Sequence, residues 1–479
     1  MLLPIAGWAL WQTGMGVMLL LGMDVKWFAL TGVLVPFSLF LMHREAGIFD
    51  FRSISIPGLW YWTYLLFVLV PSLAAYRIEA GNHPDRFMAS VLSALLTVPL
   101  GIVIGNIACR SRAGTVKAYY ERPIQISPAD FRSFGVLMVL GVCIILAVNH
   151  VREVSTVPLV YMIQNPGAAA QMNALREDSL KELDSNFAYV YDVLAKVFFP
   201  LLVMITGMRF MFVKTNVNRA MAIGTFICAL LYCAMTLEKS PVGLAILCLA
   251  IAAYFKRRGR LTKAAILIPI ALFAFPLIVF LFQTSNTAKS TQQNLFAAIG
   301  GRLFYGGAQV LFYYFDLVPD VLPYQNGATI GKFAMIMGMQ PSKIANYVGL
   351  RIDPTLPKTV TANAAFLGTL YVDFGMTGVV LGSILTGIIM AVVQQYIIRR
   401  PKTLMSFCIY GFVMIKMTLL NIAALPYVLM SGGILIAIVP LVAGDLLGTR
   451  QRRRAGFGRQ RSLNTARRTV IERSLRQPL

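Results

Sequence analysis

The stretch FMASVLSALLTVPLGIVIGNIA, residues 87–108, runs for 22 residues without a charged side chain. An α-helix of that length is about 33 Å long, enough to cross the hydrocarbon core of a bilayer. Asp85 and Arg86 precede it and Arg110 follows it, so the charges sit at its two ends. Comparable apolar stretches lie near 3–23, 27–42, 59–76, 134–150, 188–212, 220–236, 240–255, 264–283, 362–397, 403–424 and 427–448. These make about twelve spans in all. The stretches at 27–42 and 240–255 are short. That at 362–397 is too long for one crossing and is expected to hold a short re-entrant or surface helix leading into a true span.

Composition agrees with this reading. Of 479 residues, 57% are hydrophobic and 13% charged, with a mean hydropathy of +0.69. Soluble domains carry about 25% charged residues, which excludes a soluble globular enzyme. The same figures exclude a disordered chain. The expected fold class is an all-α polytopic membrane protein, with one integral-membrane domain over 1–448 and a basic tail at 449–479. The first basic residue is Lys26, so the first apolar stretch is expected to stay as a helix. Cys109, Cys143, Cys228, Cys233, Cys248 and Cys408 all fall in or beside apolar stretches and are expected as lipid-buried thiols. Gly101–Gly105 and Gly378–Gly382 have the spacing that lets helices approach closely.

The net charge of +23 follows the topology. If connections are taken alternately, one side carries 28 Lys and Arg residues and the other 13, with Lys196 and Lys416 inside spans. That bias places both termini in the cytoplasm. The ten arginines of 449–479 are therefore read as lipid-facing or solvated rather than as a nucleic-acid site. Leu463, Val470, Ile471 and Leu475 share one helical face there, which suits a surface helix on anionic lipid. A disordered arginine-rich tail fits equally.

Two outer connections are long, 151–187 and 284–361, and long loops are usually functional. Charges inside a membrane cost about 2.5–3.5 kcal/mol at a helix centre on insertion scales, so each is a candidate for chemistry. Asp192 and Lys196 are four apart and can pair on one helix. Asp373 and Lys416 could pair across helices. Glu238 and Lys239 end a span beside Ser240 and Pro241. Arg302 stands in the glycine-rich run Gly300–Gly307, and Arg176 and Arg351 are outer arginines with the planar fork that suits phosphate. Tyr305, Tyr313, Tyr314 and Tyr324 either line a sugar groove or form an interfacial belt. His150 ends a span and could be a base, or an ordinary interfacial histidine. Asp373-Phe374-Gly375 spells a kinase string but lacks every companion motif. His43, His83 and His150 are far apart, and no metal cluster is expected.

The order of these features resembles that of the bacterial oligosaccharide repeat-unit polymerases, the O-antigen polymerase (Wzy-type) proteins. Arg176 in an outer loop is followed by Tyr189, Tyr191 and a helix reaching Pro200. Then come Glu238-Lys239-Ser240-Pro241 at a helix end, Gly301-Arg302 opening a long loop, and the run from Asn363 to Gly375 leading into a glycine-rich span. The resemblance covers roughly residues 170–390. It implies a GT-C-like membrane glycosyltransferase, inverting and metal-independent, with no cofactor. Its substrates would be undecaprenyl-diphosphate-linked oligosaccharides at the periplasmic face of the bacterial inner membrane. It implies Arg302 and Arg176 as the groups that steady the leaving diphosphate, with Asp373, Glu238 or His150 as base. Lys239, Arg351, Tyr305, Tyr313 and Asn363 would contact substrate. Membrane lipids are expected partners, with a chain-length regulator and a flippase as further candidates. An O-antigen ligase is the neighbouring alternative. That family is expected to carry a histidine in its large periplasmic loop, and 284–361 has none. A twelve-span transporter or flippase is the rival class, although no internal repeat joins the two halves.

Overall fold

The computed structural model describes residues 24–111, 114–125, 133–154, 156–165, 185–235, 239–256, 304–352, 354, 362–439 and 441–442. The chain divides into two units, Met1–Ile434 and Leu435–Leu479, and the helix bundle belongs to the first. The expected spans at 3–23 and 264–283 lie outside the described residues, as does the tail 449–479.

The long helices are α1 (Val25–Ala46), α2 (Ile56–Ile78), α3 (Pro84–Ala108), α5 (Ser133–Glu153), α7 (Tyr189–Phe212), α8 (Asn216–Met235), α9 (Lys239–Lys256), α13 (Phe366–Ile398) and α14 (Leu404–Thr418). Shorter ones are α4 (Thr115–Glu121), α6 (Pro158–Gln164), α10 (Gly306–Leu317), α11 (Gly331–Ile336), α12 (Ile344–Ile352) and α15 (Leu425–Leu429). No named strand occurs among the described residues. Seven helices there are long and apolar enough to cross a membrane. Their outward residues are apolar: Val33 is 67% exposed, Phe40 62%, Ile107 71% and Leu381 62%. Apolar surface on that scale is what lipid, rather than water, solvates.

Local chemistry sets the helix ends. Asp24, Ser55 and Thr403 accept from the backbone N–H groups of Lys26, Gly58 and Ser406, satisfying donors a first turn leaves open. Four long helices carry an internal proline, at Pro36, Pro71, Pro99 and Pro200. Pro71 and Pro200 are each preceded by a π turn, Leu65–Leu69 and Leu194–Phe198. The extra residue makes room for the ring and the lost bond.

The helices are tied at both ends and between. Inside the bundle, Ser38 donates to the Tyr61 hydroxyl (2.7 Å), Tyr64 to the Val91 carbonyl (2.7 Å) and Asn421 to Thr63 (2.8 Å). At one end the Ile56 N–H donates to the Gln394 amide oxygen (2.9 Å). There Lys402 donates to the Tyr120 and Arg122 carbonyls (2.8 and 3.0 Å), and the hydroxyls of Tyr120 and Tyr410 share the Ile54 carbonyl. At the other end Lys26 and Trp27 meet Asp85, the Asn82 N–H meets Asp316, and His83 meets Asp320 at 2.8 Å.

Helices α3 and α13 form the tightest crossing. A Cβ on Gly101 would lie 2.1 Å from the Ile384 carbonyl oxygen, and one on Gly387 2.2 Å from that of Val98. Gly105 faces Ala391 in the same way. The small-residue spacing at Gly101–Gly105 therefore serves close packing between helices, while Gly378–Gly382 serves something else. Helix α13 breaks at Gly375, whose φ of 64° and ψ of −155° only glycine readily adopts. The arm before the break packs back on the arm after it. A Cβ on Gly378 would meet the Leu370 carbonyl at 2.5 Å, and one on Gly382 the Leu370 side chain at 2.4 Å. The long stretch is thus a short helix folded onto a true span, as its length suggested.

The stretch expected as one span at 427–448 is interrupted near its start and is helical again over 434–439. Its first part is the five-residue α15, ended by a turn in which Gly433 has a φ of 85°. A Cβ on Gly433 would lie 2.1 Å from Val197. The connection expected at 284–361 is also more than a loop, since 304–352 folds into α10, α11 and α12. Tyr371 anchors it by donating to the Val318 carbonyl (3.2 Å) and packing on Phe315, ring centroids 4.2 Å apart.

Two substitutions test this packing. Gly387→Val drives a branched side chain into the Val98 carbonyl and should destabilise the folded protein by about 1–3 kcal/mol or more. Gly375→Ala should cost about 1–3 kcal/mol through backbone strain alone. Thermal unfolding of the purified protein in detergent measures both. An unchanged midpoint for Gly387→Val would contradict the close crossing.

Candidate functional site

The first arm of α13 ends at Asp373, just before the break. Asp373 is buried, at 2% exposure. Its carboxylate accepts from the Thr329 N–H (3.2 Å) and from the Thr329 hydroxyl. The backbone completes the junction: the Gln325 N–H donates to the Val372 carbonyl (2.9 Å), and the Asn326 N–H to that of Asp373 (3.1 Å). Asp373 therefore fastens the 324–330 segment to the helix break. The pairing of Asp373 with Lys416 that their sequence positions allowed is not made.

Thr329 also faces a cavity of about 490 Å³, a size typical of ligand pockets, which run from about 300 to 1,000 Å³. Its polar wall includes Tyr314, Ser342, Asn363, Thr369, Lys196 and Lys416. Its apolar wall includes Leu244, Leu419, Ile422 and Tyr427. Four features of the fold make it. Helix α10 supplies Tyr314, held by its bond to the Ala362 carbonyl (3.0 Å). The 329–345 segment gives the cap, the non-helical entry to α13 gives Asn363, and the 3-10 turn Leu419–Asn421 gives the floor beside α14. The π turn of α7 presents Lys196, which pairs with Asp192 one helical turn earlier, as their spacing suggested.

The other residues expected at the site fall into two further groups. On α10, Tyr305 and Tyr313 donate their hydroxyls to Glu79, Tyr313 at 2.7 Å, and the Gln309 amide joins them at 2.9 Å. Burial, and next the Glu79 carboxylate, push the Tyr313 phenol up to about 12, and Tyr305 rises for the same reasons. Both phenols thus stay protonated donors at any physiological pH. The Arg351 guanidinium lies 6.0 Å from the Tyr313 ring. His150 stands elsewhere. Its ring stacks on Tyr191 (4.4 Å) and its Nδ1 bonds the Tyr232 hydroxyl (2.9 Å). Asn149, Tyr191 and Glu153 complete that group. Of the described residues singled out in the sequence, Asn363, Tyr314, Lys196 and Lys416 line the cavity itself, with Asp373 one side chain behind the wall. Arg302, Arg176 and Glu238 lie outside the described residues, and of Lys239 only the backbone is described.

Glu79 and Thr329 escaped the sequence reading. Glu79 left one signal: an acid at the C-terminal end of a helix opposes the helix dipole, so it needs donors from elsewhere. Thr329 left none, because its partner is 44 residues away.

Comparison with known proteins bears on this geometry. The profile of the O-antigen polymerase family matches residues 189–430, half of the chain. No curated protein and no solved structure matches it. The matched stretch carries α7 to α15, Asp373 and every cavity-lining residue named above. This membrane chain, whose cavity is built from the matched helices, belongs to the O-antigen polymerase family.

Proposed function

We propose that the protein polymerises oligosaccharide repeat units carried on undecaprenyl diphosphate, at the periplasmic face of the bacterial inner membrane. The observation that carries this reading is the coincidence of the family match with a mainly apolar cavity that also holds polar and cationic groups, at the ends of apolar helices. A lipid-linked glycan needs both surroundings: apolar walls for the carrier, and hydroxyl, amide and cationic groups for the sugar and phosphate.

Orientation is supported by charge. Arg44, Arg52, Arg110, Lys117, Arg122, Arg399, Arg400 and Lys402 gather at the end where α13 finishes and α14 begins. An excess of this kind favours the cytoplasm. The cavity, near the start of α13 and the finish of α14, then faces the periplasm.

The reaction is a displacement at an anomeric carbon. A sugar hydroxyl of the incoming repeat unit attacks that carbon of the growing chain. The bond to the diphosphate oxygen breaks, and the diphosphate leaves with the electron pair. The hydroxyl proton passes to a base. Configuration inverts, in a membrane enzyme of GT-C type that works without a metal. Fixed cations aimed at the developing charge provide the stabilisation, and Arg302 and Arg176 take that role. The base is one of Asp373, Glu238 and His150. Asp373 is the nearest of these to the cavity among the described residues, and would act by exchanging its bond with Thr329 for one to the acceptor hydroxyl. Tyr305, Tyr313, Arg351, Lys239 and Asn363 position the glycan.

Surface polysaccharide from a deletion strain complemented with Arg302→Ala tests this. Wild type should restore a ladder of repeat lengths. Arg302→Ala should collapse it to a single added unit, for a rate loss of about a hundredfold or more. A deletion strain lacking even single units would point to ligation or flipping instead. In membranes, chain extension should continue when divalent cations are chelated with EDTA, and its abolition would contradict the metal-independent step.

A further inference from the structure

Among the described residues, the cavity wall holds a buried cation with no salt bridge of its own. Lys416 is 2% exposed and its side chain lines the cavity. Among the described residues it makes no ion pair and no hydrogen bond. Its ammonium lies 5.3 Å from the centre of the Phe412 ring. Across the cavity, Lys196 is already neutralised by Asp192, so these three groups together leave one positive charge facing the space.

Burial leaves the Lys416 ammonium under-compensated, and a bound anion would offset that. Taking an unpaired ammonium out of water carries a large penalty, even after the protein relaxes around it. A cation–π contact returns only a fraction of that penalty. The position of Lys416 in the last turn of α14 returns a smaller fraction still, through the helix dipole. A balance remains that an arriving anion would supply. The surroundings define that anion further. Thr369, Tyr314 and Asn363 offer hydroxyl and amide groups beside it, whereas Leu244, Leu419 and Ile422 offer a greasy wall. A free inorganic anion has no use for that wall.

We infer that Lys416, seconded by Lys196, forms a phosphate-binding subsite within this cavity, taking the diphosphate of a polyprenyl-linked substrate while the apolar wall takes its first isoprene units. This rests on the polymerase reading for the identity of the carrier, and adds to the loop arginines a docking group within the helix bundle. Lys416 holds the substrate before transfer, whereas the arginines meet the charge as it develops.

The test is direct binding to the full-length protein in detergent micelles. The probes are undecaprenyl diphosphate, inorganic pyrophosphate and a phosphatidylglycerol micelle, each titrated by microscale thermophoresis. Wild type should bind undecaprenyl diphosphate. Lys416→Met should weaken it at least about tenfold, and Lys416→Arg should stay within about threefold. Replacing an unpaired buried charge by an apolar side chain of similar volume is commonly neutral or stabilising, so Lys416→Met should fold. Ala423→Trp narrows the same cavity while keeping the lysine, and should weaken binding as well, which keeps the test alive should the lysine variant misfold. Pyrophosphate should bind far more weakly than the lipid. Equal binding of pyrophosphate would overturn the role of the apolar wall, and equal binding of phosphatidylglycerol would reassign the subsite to a lipid headgroup. Undiminished binding of undecaprenyl diphosphate by both variants would overturn the inference. The polymerase reading fails separately, in the glycan ladder, since loss of polymerisation and loss of binding at Lys416 are read in different assays.

Discussion

The backbone reversal at Gly375 is the constraint around which the rest of this protein is arranged. A helix that simply continued would carry residues 366–374 away from the bundle. The left-handed glycine instead folds that arm onto the following one, against the missing side chains of Gly378 and Gly382. The long arm is in turn pinned to α3 through Gly101 and Gly387. The short arm thereby has a fixed place, and Asp373 at its tip becomes the point where the capping segment is attached. The cavity takes part of its shape from this, because its cap is fastened to α13 through Asp373. Several residues without a side chain thus position the polar groups that surround them.

Helices in lipid gain little from hydrophobic association, so close backbone approach and interior hydrogen bonds must hold them together. Both devices are present and they divide the work. Glycine contacts set the separation of α3 and α13. Single polar bonds, Ser38 to Tyr61 or Asn421 to Thr63, set rotation about the helix axes. Charge is concentrated at the ends, where Glu79 collects three donors and Lys402 caps two carbonyls.

Much of this was legible in the sequence, and the boundary of legibility is physical. Apolar runs read correctly where helix length alone matters: 87–108 became Pro84–Ala108 and 27–42 grew to Val25–Ala46, while 240–255 stayed short as Lys239–Lys256. The Asp192–Lys196 pair was legible because helical geometry brings such neighbours together. The meaning of Gly378–Gly382 was not, since the same spacing serves two helices or one helix folded on itself. The turn at Gly433 after α15 lies against Val197, more than two hundred residues earlier. Glu79 with α10, and Thr329 with Asp373, are long-range pairings that local pattern does not encode. Tyr305 and Tyr313, expected in the sequence at a sugar groove or an interfacial belt, turn their hydroxyls to Glu79.

The ties between distant parts of the chain also bear on how the protein is made. The Ile56 N–H waits for Gln394, Ile54 for Tyr410 and the Tyr120 carbonyl for Lys402, across 338, 356 and 282 residues. At about 5–20 residues per second of synthesis, the ribosome delivers those partners roughly 15–70 s after the first helices have entered the bilayer. Through that interval α1 to α3 can bond to one another, as Ser38 does to Tyr61 and Tyr64 to Val91, but Gly101 and Gly105 wait for their partner on α13. The nascent protein is for that time a surface seeking a helix, and its order of assembly is fixed by the late arrival of α13.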